Sequence, residues 1–357
     1  MSQHAISSRK ADHIDLCIDG DVSFRKKSNL IEEIELIHDA LPEMHINDVD
    51  LRTEFAGKTL RAPLIIAAMT GGVDRADEIN RDLAAVAEEL GIGFAFGSQR
   101  PLLTRGISAG YRVRDIAPNA LVLGNIGVVQ ATETPTERLA DMVATCGADA
   151  LVVHLNPAME VVQPEGDQDF RGGIDTIARL VDALPVPVIV KETGCGLSRN
   201  VGQRLVECGV KWVDISGAGG TSWVAVETHR ASDRKRSLGD TFWDWGIPTA
   251  GSVAQLSGLP LASCATGGMR NGLMIAQAIA AGARCGGIAR VFLQAHAAGG
   301  REGVAEAARR VIGEIRIACL LSGAKTPQEL QDKPIIVGPN LRRWIPKSSP
   351  LWQRVQG

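Results

Sequence analysis

The sequence has no surplus of charge of either sign: its 357 residues hold 38 Lys+Arg against 41 Asp+Glu, a formal net charge of −3. The basic surface that marks a nucleic-acid-binding domain is missing. No nucleic-acid partner is therefore expected, and any acidic ligand has to be met by a local cluster of cations. Nor is there a segment fit to enter a membrane. Residues 1–10 contain no apolar run of the kind a secretory signal needs. The longest charge-free stretch, 245–269, is broken by Pro248, Pro260 and five glycines, too many interruptions for a spanning helix. The seven cysteines (Cys17, Cys146, Cys195, Cys208, Cys264, Cys285 and Cys319) are odd in number and form no CxxC pair. That argues against a disulfide framework or a zinc site and points to a reduced, cytoplasmic protein.

What is present is the composition of a globular protein, 45% hydrophobic and 22% charged, arranged in a recurring pattern. An apolar run, a turn rich in Gly, Asn or Ser and a helix-period segment follow one another eight times, with runs starting at Pro63, Gly93, Leu121, Ala150, Val186, Lys211, Leu261 and Cys285. Amphipathic stretches lie at 76–90, 136–146, 174–184, 200–208 and 272–281, and a last helix is expected over about 302–321. Repeated βα units build a parallel sheet, and eight of them match a (β/α)8 barrel in number and size. The expected class is thus α/β, with an N-terminal extension over 1–62, a barrel over 63–323 and a C-terminal tail over 324–357. Between the sixth and seventh runs the spacing widens, and the insertion at about 221–249, with its charged stretch around 229–237, reads as a loop or lid.

Strand ends of such a barrel converge on one face, where active sites sit. Here they are polar: Thr70, Ser98 with Gln99 and Arg100, Asn125, His154 with Asn156, Lys191 with Glu192, Ser216, Thr266 and Arg290. Helix capping explains one or two Ser, Thr or Asn residues, but not Arg100, His154 and Lys191 together. Three glycine-rich edges, 216–222, Thr266-Gly267-Gly268 and 286–290, allow backbone N–H groups to approach an anion. On adjacent strands they suit a long phosphorylated ligand. Tight turns alone remain the plainer reading of each edge taken singly.

The motifs Arg9-Lys10-Ala11-Asp12-His13, Met69-Thr70-Gly71-Gly72, Gly97-Ser98-Gln99, Asn125-Ile126-Gly127, His154-Leu155-Asn156, Pro164-Glu165-Gly166-Asp167, Val190-Lys191-Glu192, 216–223 and Thr266-Gly267-Gly268 together resemble the type 2, FMN-dependent isopentenyl-diphosphate isomerases. The resemblance runs from about residue 9 to 338. It implies interconversion of isopentenyl and dimethylallyl diphosphate with FMN that NADPH must reduce, with Mg2+, and without net redox change. It further implies that Met69, Thr70, Gly71, Ser98 and Asn125 hold the flavin ring, and that Ser216, Thr221, Gly267, Gly268, Ala289 and Arg290 hold its phosphate end. Lys191 is then the cation facing the N1–O2 edge of the flavin, and N5 the proton donor and acceptor.

For the diphosphate, the resemblance implies Arg9, Lys10, His13, Arg100 and His154, the histidines donating as imidazole or imidazolium, with Asn156 adding a hydrogen bond and Glu160 binding Mg2+. Taken alone, Arg9-Lys10 reads as a solvated pair. Pro164-Glu165-Gly166-Asp167 can be read as a turn and receives no catalytic role. The sequence departs from the family at Met159, where the family carries Gln before the metal-binding Glu. A thioether relays no proton, so either FMN suffices, or Gln163 substitutes from the next turn, or the activity has drifted. Two readings compete with the isomerase: a redox flavoenzyme resembling the hydroxy-acid oxidases or dihydroorotate dehydrogenases, and a non-catalytic flavin-binding paralogue. The family tends toward tetramers or octamers, and Trp344 and Trp352 of the tail are candidates to pack against a neighbour.

Overall fold

The computed structural model describes residues 21–69, 74–108, 110–163, 165–231 and 233–356. Eight parallel strands close into a barrel: β1 (Leu64–Ile66), β2 (Gly93–Ala95), β3 (Leu121–Gly127), β4 (Ala150–Leu155), β5 (Val188–Glu192), β6 (Trp212–Asp214), β7 (Ala262–Ala265) and β8 (Cys285–Ile288). Each pairs with its successor in sequence and β8 closes on β1 through Gly286↔Leu64 and Ile288↔Ile66. Covered inside by the barrel core and outside by helices, the strands read as continuous apolar runs rather than alternating ones. The register places Lys191 opposite His154 on one side and Asp214 on the other.

The end of the barrel away from the strand C-termini is shut. A hairpin, Thr53–Phe55 with Lys58–Leu60, turns through Ala56 (φ 51°) and Gly57 (φ 81°), the positive angles a two-residue turn of this hand requires. It pushes Phe55 and Leu60 among the interior residues Ile65, Leu123, Val152, Ile189, Cys264 and Cys285, and the Phe55 ring meets Trp212 edge-on with centroids 5.3 Å apart. The hairpin's Lys58 pairs with Asp149 at 2.8 Å. That carboxylate also pairs with Arg114 and accepts from Val122 N–H at 2.8 Å.

The two extensions join the barrel core instead of forming their own: Ile34–Leu36 pairs antiparallel with Ile335–Val337, which pairs with 355–356, and Ile31, Ile34, Leu330, Ile335 and Leu341 pack into the outer helical layer. Helix Thr136–Cys146 matches its expected span. The final helix, Arg290–Leu321, starts earlier than expected and breaks at Gly299–Gly300.

The insertion is helical rather than a loop. Trp223–Arg230 and Asp233–Phe242 follow Ser222, whose hydroxyl caps the first by accepting from Ala225 N–H at 3.2 Å. Trp344 and Trp352 are both half-buried. A Cβ on Gly251 would meet the Trp344 ring at 3.1 Å, and the Arg342 guanidinium sits 5.3 Å over Trp352. Among the described residues no helix is long and apolar enough to cross a membrane.

Asp149 ties three segments together at the closed end. Asp149→Ala leaves Lys58 and Arg114 without their shared partner and Val122 N–H without an acceptor, and is expected to cost about 1–3 kcal/mol. Chemical denaturation would register this as a lower midpoint with an unchanged slope.

Candidate active site

At the open end, the strand termini surround a cavity of about 790 Å³, the size that encloses a cofactor together with a small substrate. Within the described part, every residue expected to touch cofactor, substrate or metal lines it: Met69, Ser98, Arg100, Asn125, His154, Asn156, Met159, Glu160, Lys191, Ser216, Thr221, Gly267, Gly268, Ala289 and Arg290. Arg9, Lys10, His13, Thr70, Gly71 and Pro164 lie outside the described residues.

One wall is a chain of buried amides. Gln99 Oε1 accepts from Asn125 N–H at 2.8 Å and Asn125 Nδ2 donates to the Phe96 carbonyl at 3.0 Å. That second bond orients the Asn125 amide, so its Oδ1 faces His154 Nδ1 at 2.8 Å. The proton must then sit on Nδ1, leaving Nε2 as a bare acceptor. Burial, assisted by the charge on Lys191, lowers the His154 pKa to about 4. The expectation that His154 donates to an anion as imidazole or imidazolium therefore turns on Nε2, since the N–H at Nδ1 belongs to Asn125. Asn125 in turn positions a histidine with the side chain expected to hold a ligand.

Lys191 reaches the cavity floor with Nζ donating to the Glu192 carbonyl at 2.8 Å. Glu192 turns away into the loop that follows. Burial pushes its carboxyl up to about 8, against the N–H groups of Cys195 and Gly196 from which it accepts. That loop is tied to Ser216, whose carbonyl accepts from Gly194 N–H at 2.8 Å and Gly196 N–H at 3.1 Å. Ser216 itself sits at φ 40°, a left-handed conformation costly for a residue with a side chain.

The glycine-rich edges touch one another. A Cβ on Gly220 would strike the backbone of Gly268, and one on Gly286, inside β8, would meet Ile275 at 2.6 Å. Close packing therefore accounts for Gly286, which the sequence pattern placed on a ligand edge. At Gly267, Gly268 and Met269, by contrast, the backbone N–H groups donate to no acceptor among the described residues, and all three residues line the cavity beside Ala289 and Arg290. Unpartnered N–H groups in such a cradle fit a phosphate.

On the opposite side, Glu160 is buried with both oxygens engaged, Oε1 by Asn156 Nδ2 at 2.7 Å and Oε2 by Asp167 N–H at 2.9 Å. Asn156 thus orients the carboxylate, and the Asp167 backbone supplies its second clamp. Met159 and Gln163 line the same region. The Gln163 Oε1 atom is buried with no hydrogen-bond partner among the described residues. Sequence reasoning missed the strap 23–28, which lines the mouth with Arg25, Lys26 and Lys27. It is fixed by the Asp244 carboxylate, by Asn29 on the Gly268 carbonyl at 2.9 Å and by Arg25 stacked 3.6 Å over Trp243. The run Arg25-Lys26-Lys27 was its available signal.

The FMN-dependent dehydrogenase family matches residues 2–165 and 166–337. Over 343 residues the chain is 42% identical to an isopentenyl-diphosphate delta-isomerase of Methanothermobacter thermautotrophicus, covering 95% of this chain and 96% of that one. A protein of the same name from Thermococcus kodakarensis is 41% identical over 94% and 93% of the two chains. In structure the chain is similar to a mutant flavocytochrome b2 with benzoylformate (TM-score 0.66, 18% identity, 92% of this chain and 83% of that one). It is also similar to a mutant mandelate oxidase with a monooxide FMN adduct (0.64, 16%, 91% and 95%). These two likenesses establish the barrel fold. The chain belongs to the FMN-dependent dehydrogenase family and, within it, to the type 2 isopentenyl-diphosphate isomerases.

The assigned state of His154 is open to measurement. Its folded-state pKa, about 4, lies below the ordinary 6.5, so the unfolded chain binds the proton first. The contribution of the neutral ring to stability is complete above that ordinary value and is lost as pH falls toward 4. Nitrogen-15 spectra of the imidazole should show protonated Nδ1 and bare Nε2 throughout the neutral range. A titration midpoint near the ordinary histidine value would contradict the assignment.

Proposed function

We propose that this protein interconverts isopentenyl and dimethylallyl diphosphate with FMN held in the cavity. The observation that carries the reading is that one cavity is lined both by the unpartnered N–H groups of Gly267, Gly268 and Met269 beside Arg290 and by Arg100 and Glu160. The unpartnered N–H groups of Gly267, Gly268 and Met269, with Arg290, would hold the phosphate of the flavin, and Arg100 the diphosphate, with Glu160 reaching it through Mg2+. Bound in its reduced form, FMN supplies a proton donor and acceptor at N5. Lys191 offsets negative charge at the N1–O2 edge, where a fixed cation favours the anionic reduced form.

The other residues bind and orient. Glu160, aimed by Asn156 and Asp167, takes Mg2+, a hard cation suited to one carboxylate plus diphosphate oxygens. Among the described residues no group of three His, Cys, Asp or Glu gathers to hold a metal alone, and an ion at Glu160 would take its remaining ligands from diphosphate oxygens and water. Neutral His154 accepts a hydrogen bond from a protonated diphosphate oxygen or a water. Met159 shields the alkene from water, and flavin reduction by NADPH proceeds through the same mouth. A cytoplasmic location agrees with free thiols at Cys146, Cys195, Cys208, Cys264, Cys285 and Cys319. Assembly into a tetramer or octamer is supported by apolar side chains left exposed on the insertion, Leu238, Phe242 and Trp245.

Two outcomes test this reading. Purified protein should bind FMN and isomerise only after the flavin is reduced; equal activity without FMN, or with oxidised FMN and no reductant, would refute it. Met159→Gln should raise turnover by about tenfold, a fraction of what a positioned acid–base group contributes, with FMN affinity unchanged. Steady-state kinetics in deuterated solvent would measure both turnover and exchange.

A further inference from the structure

One largely covered carboxylate next to this site, that of Asp214, has no part in the reading above. Asp214 ends β6 with its side chain largely covered, in register with Lys191 on β5 and with Cys264 on β7. In-register residues of parallel strands point to the same side, so Asp214 faces the barrel interior beneath Lys191. Its Oδ2 lies 3.6 Å from Lys191 Nζ, close enough to act as a countercharge but too far for a short hydrogen bond. Thr266 Oγ1 donates to Asp214 Oδ1, and that hydroxyl oxygen in turn accepts from Ser216 N–H at 3.0 Å. Lys191, Asp214, Cys264, Ala67 and Ala68 line a small void under the main cavity.

A carboxylate in this position is expensive in an otherwise apolar interior unless it is paired, and well-packed apolar residues of similar volume usually do as well for stability. The geometry indicates another role. Lys191 and Asp214 sum to no net charge, so the field Lys191 projects into the cavity depends on how strongly Asp214 offsets it. The Thr266 hydroxyl sets that strength by drawing negative charge toward itself, away from the lysine.

We infer that Asp214, held by Thr266 behind Lys191, is a positioning residue that regulates how much positive charge Lys191 presents to the flavin. The inference rests on the reading that Lys191 meets the N1–O2 edge of bound FMN. Too strong a cation there would make the reduced flavin a poor base, and Asp214 moderates it.

The test is the midpoint potential of FMN bound to the wild-type protein and to Asp214→Asn, Thr266→Val and Thr266→Ser. Asp214→Asn preserves shape and removes the countercharge. It should tilt the equilibrium about tenfold toward reduced flavin, a rise of ~30 mV for a two-electron couple. Thr266→Val leaves the carboxylate uncompensated and should shift the potential the opposite way, while Thr266→Ser, which keeps the hydroxyl, should match the wild type. Opposite signs distinguish tuning from packing damage, which would weaken FMN binding in both variants and move both potentials alike. An unshifted Asp214→Asn, or shifts of one sign in Asp214→Asn and Thr266→Val, overturns the inference while FMN binding by the wild type stands. A wild-type protein that takes up no FMN overturns the underlying reading with it.

Discussion

Barrel closure is the constraint on which the site depends, and it is achieved by a strand with almost no side chains. β8 reads Cys285-Gly286-Gly287-Ile288 and pairs with β1 on one side and β7 on the other. A Cβ on Gly286 would meet Ile275 of the outer helix at 2.6 Å, and one on Gly287 would meet Thr266 at 2.5 Å. Larger residues would force the seam open. With the seam shut, eight strand ends point into one space, and residues as distant in sequence as Ser98 and Arg290 line the same cavity.

Most of that scaffold is legible in the sequence because the strands are buried on both faces and appear as uninterrupted apolar runs. The helix over 136–146 is equally plain, with Leu139, Met142, Val143 and Cys146 on one buried stripe. The helices of the insertion are not legible, because a dense run of charges masks their period. Their position depends on tertiary contacts instead: Trp243 is buried, packs edge-on against His229 at 5.3 Å and donates to the Ser23 carbonyl at 2.9 Å. The strap Arg25-Lys26-Lys27 was hidden for a related reason. A basic run reads as solvated surface until its backbone is seen anchored on Asp244.

The site residues divide the same way. Strand-end position brings a side chain to the cavity and can be counted from the pattern, but its protonation state cannot. The neutrality of His154 comes from burial and from Lys191, and its tautomer from an amide on the neighbouring strand whose own orientation is set by the Phe96 carbonyl. Likewise Asn156 and Asp167 clamp Glu160 through contacts that no spacing rule reveals. Met159 and Gln163 stand one helical turn apart, Gln163 N–H bonding to the Met159 carbonyl at 3.0 Å where the short helix ends. A substitution at one is therefore felt at the other.

The Phe55 hairpin has a kinetic consequence as well as a structural one. By stoppering the far end it leaves the cavity, among the described residues, opening on the side of the strap and Trp223. On the proposed reading, a hydride carrier and a diphosphate alkene acting on one flavin would share that opening, each waiting for the other to leave. Crowding by the alkene would delay re-arming of the flavin without slowing any single isomerisation, so throughput becomes a matter of queueing as much as of chemistry.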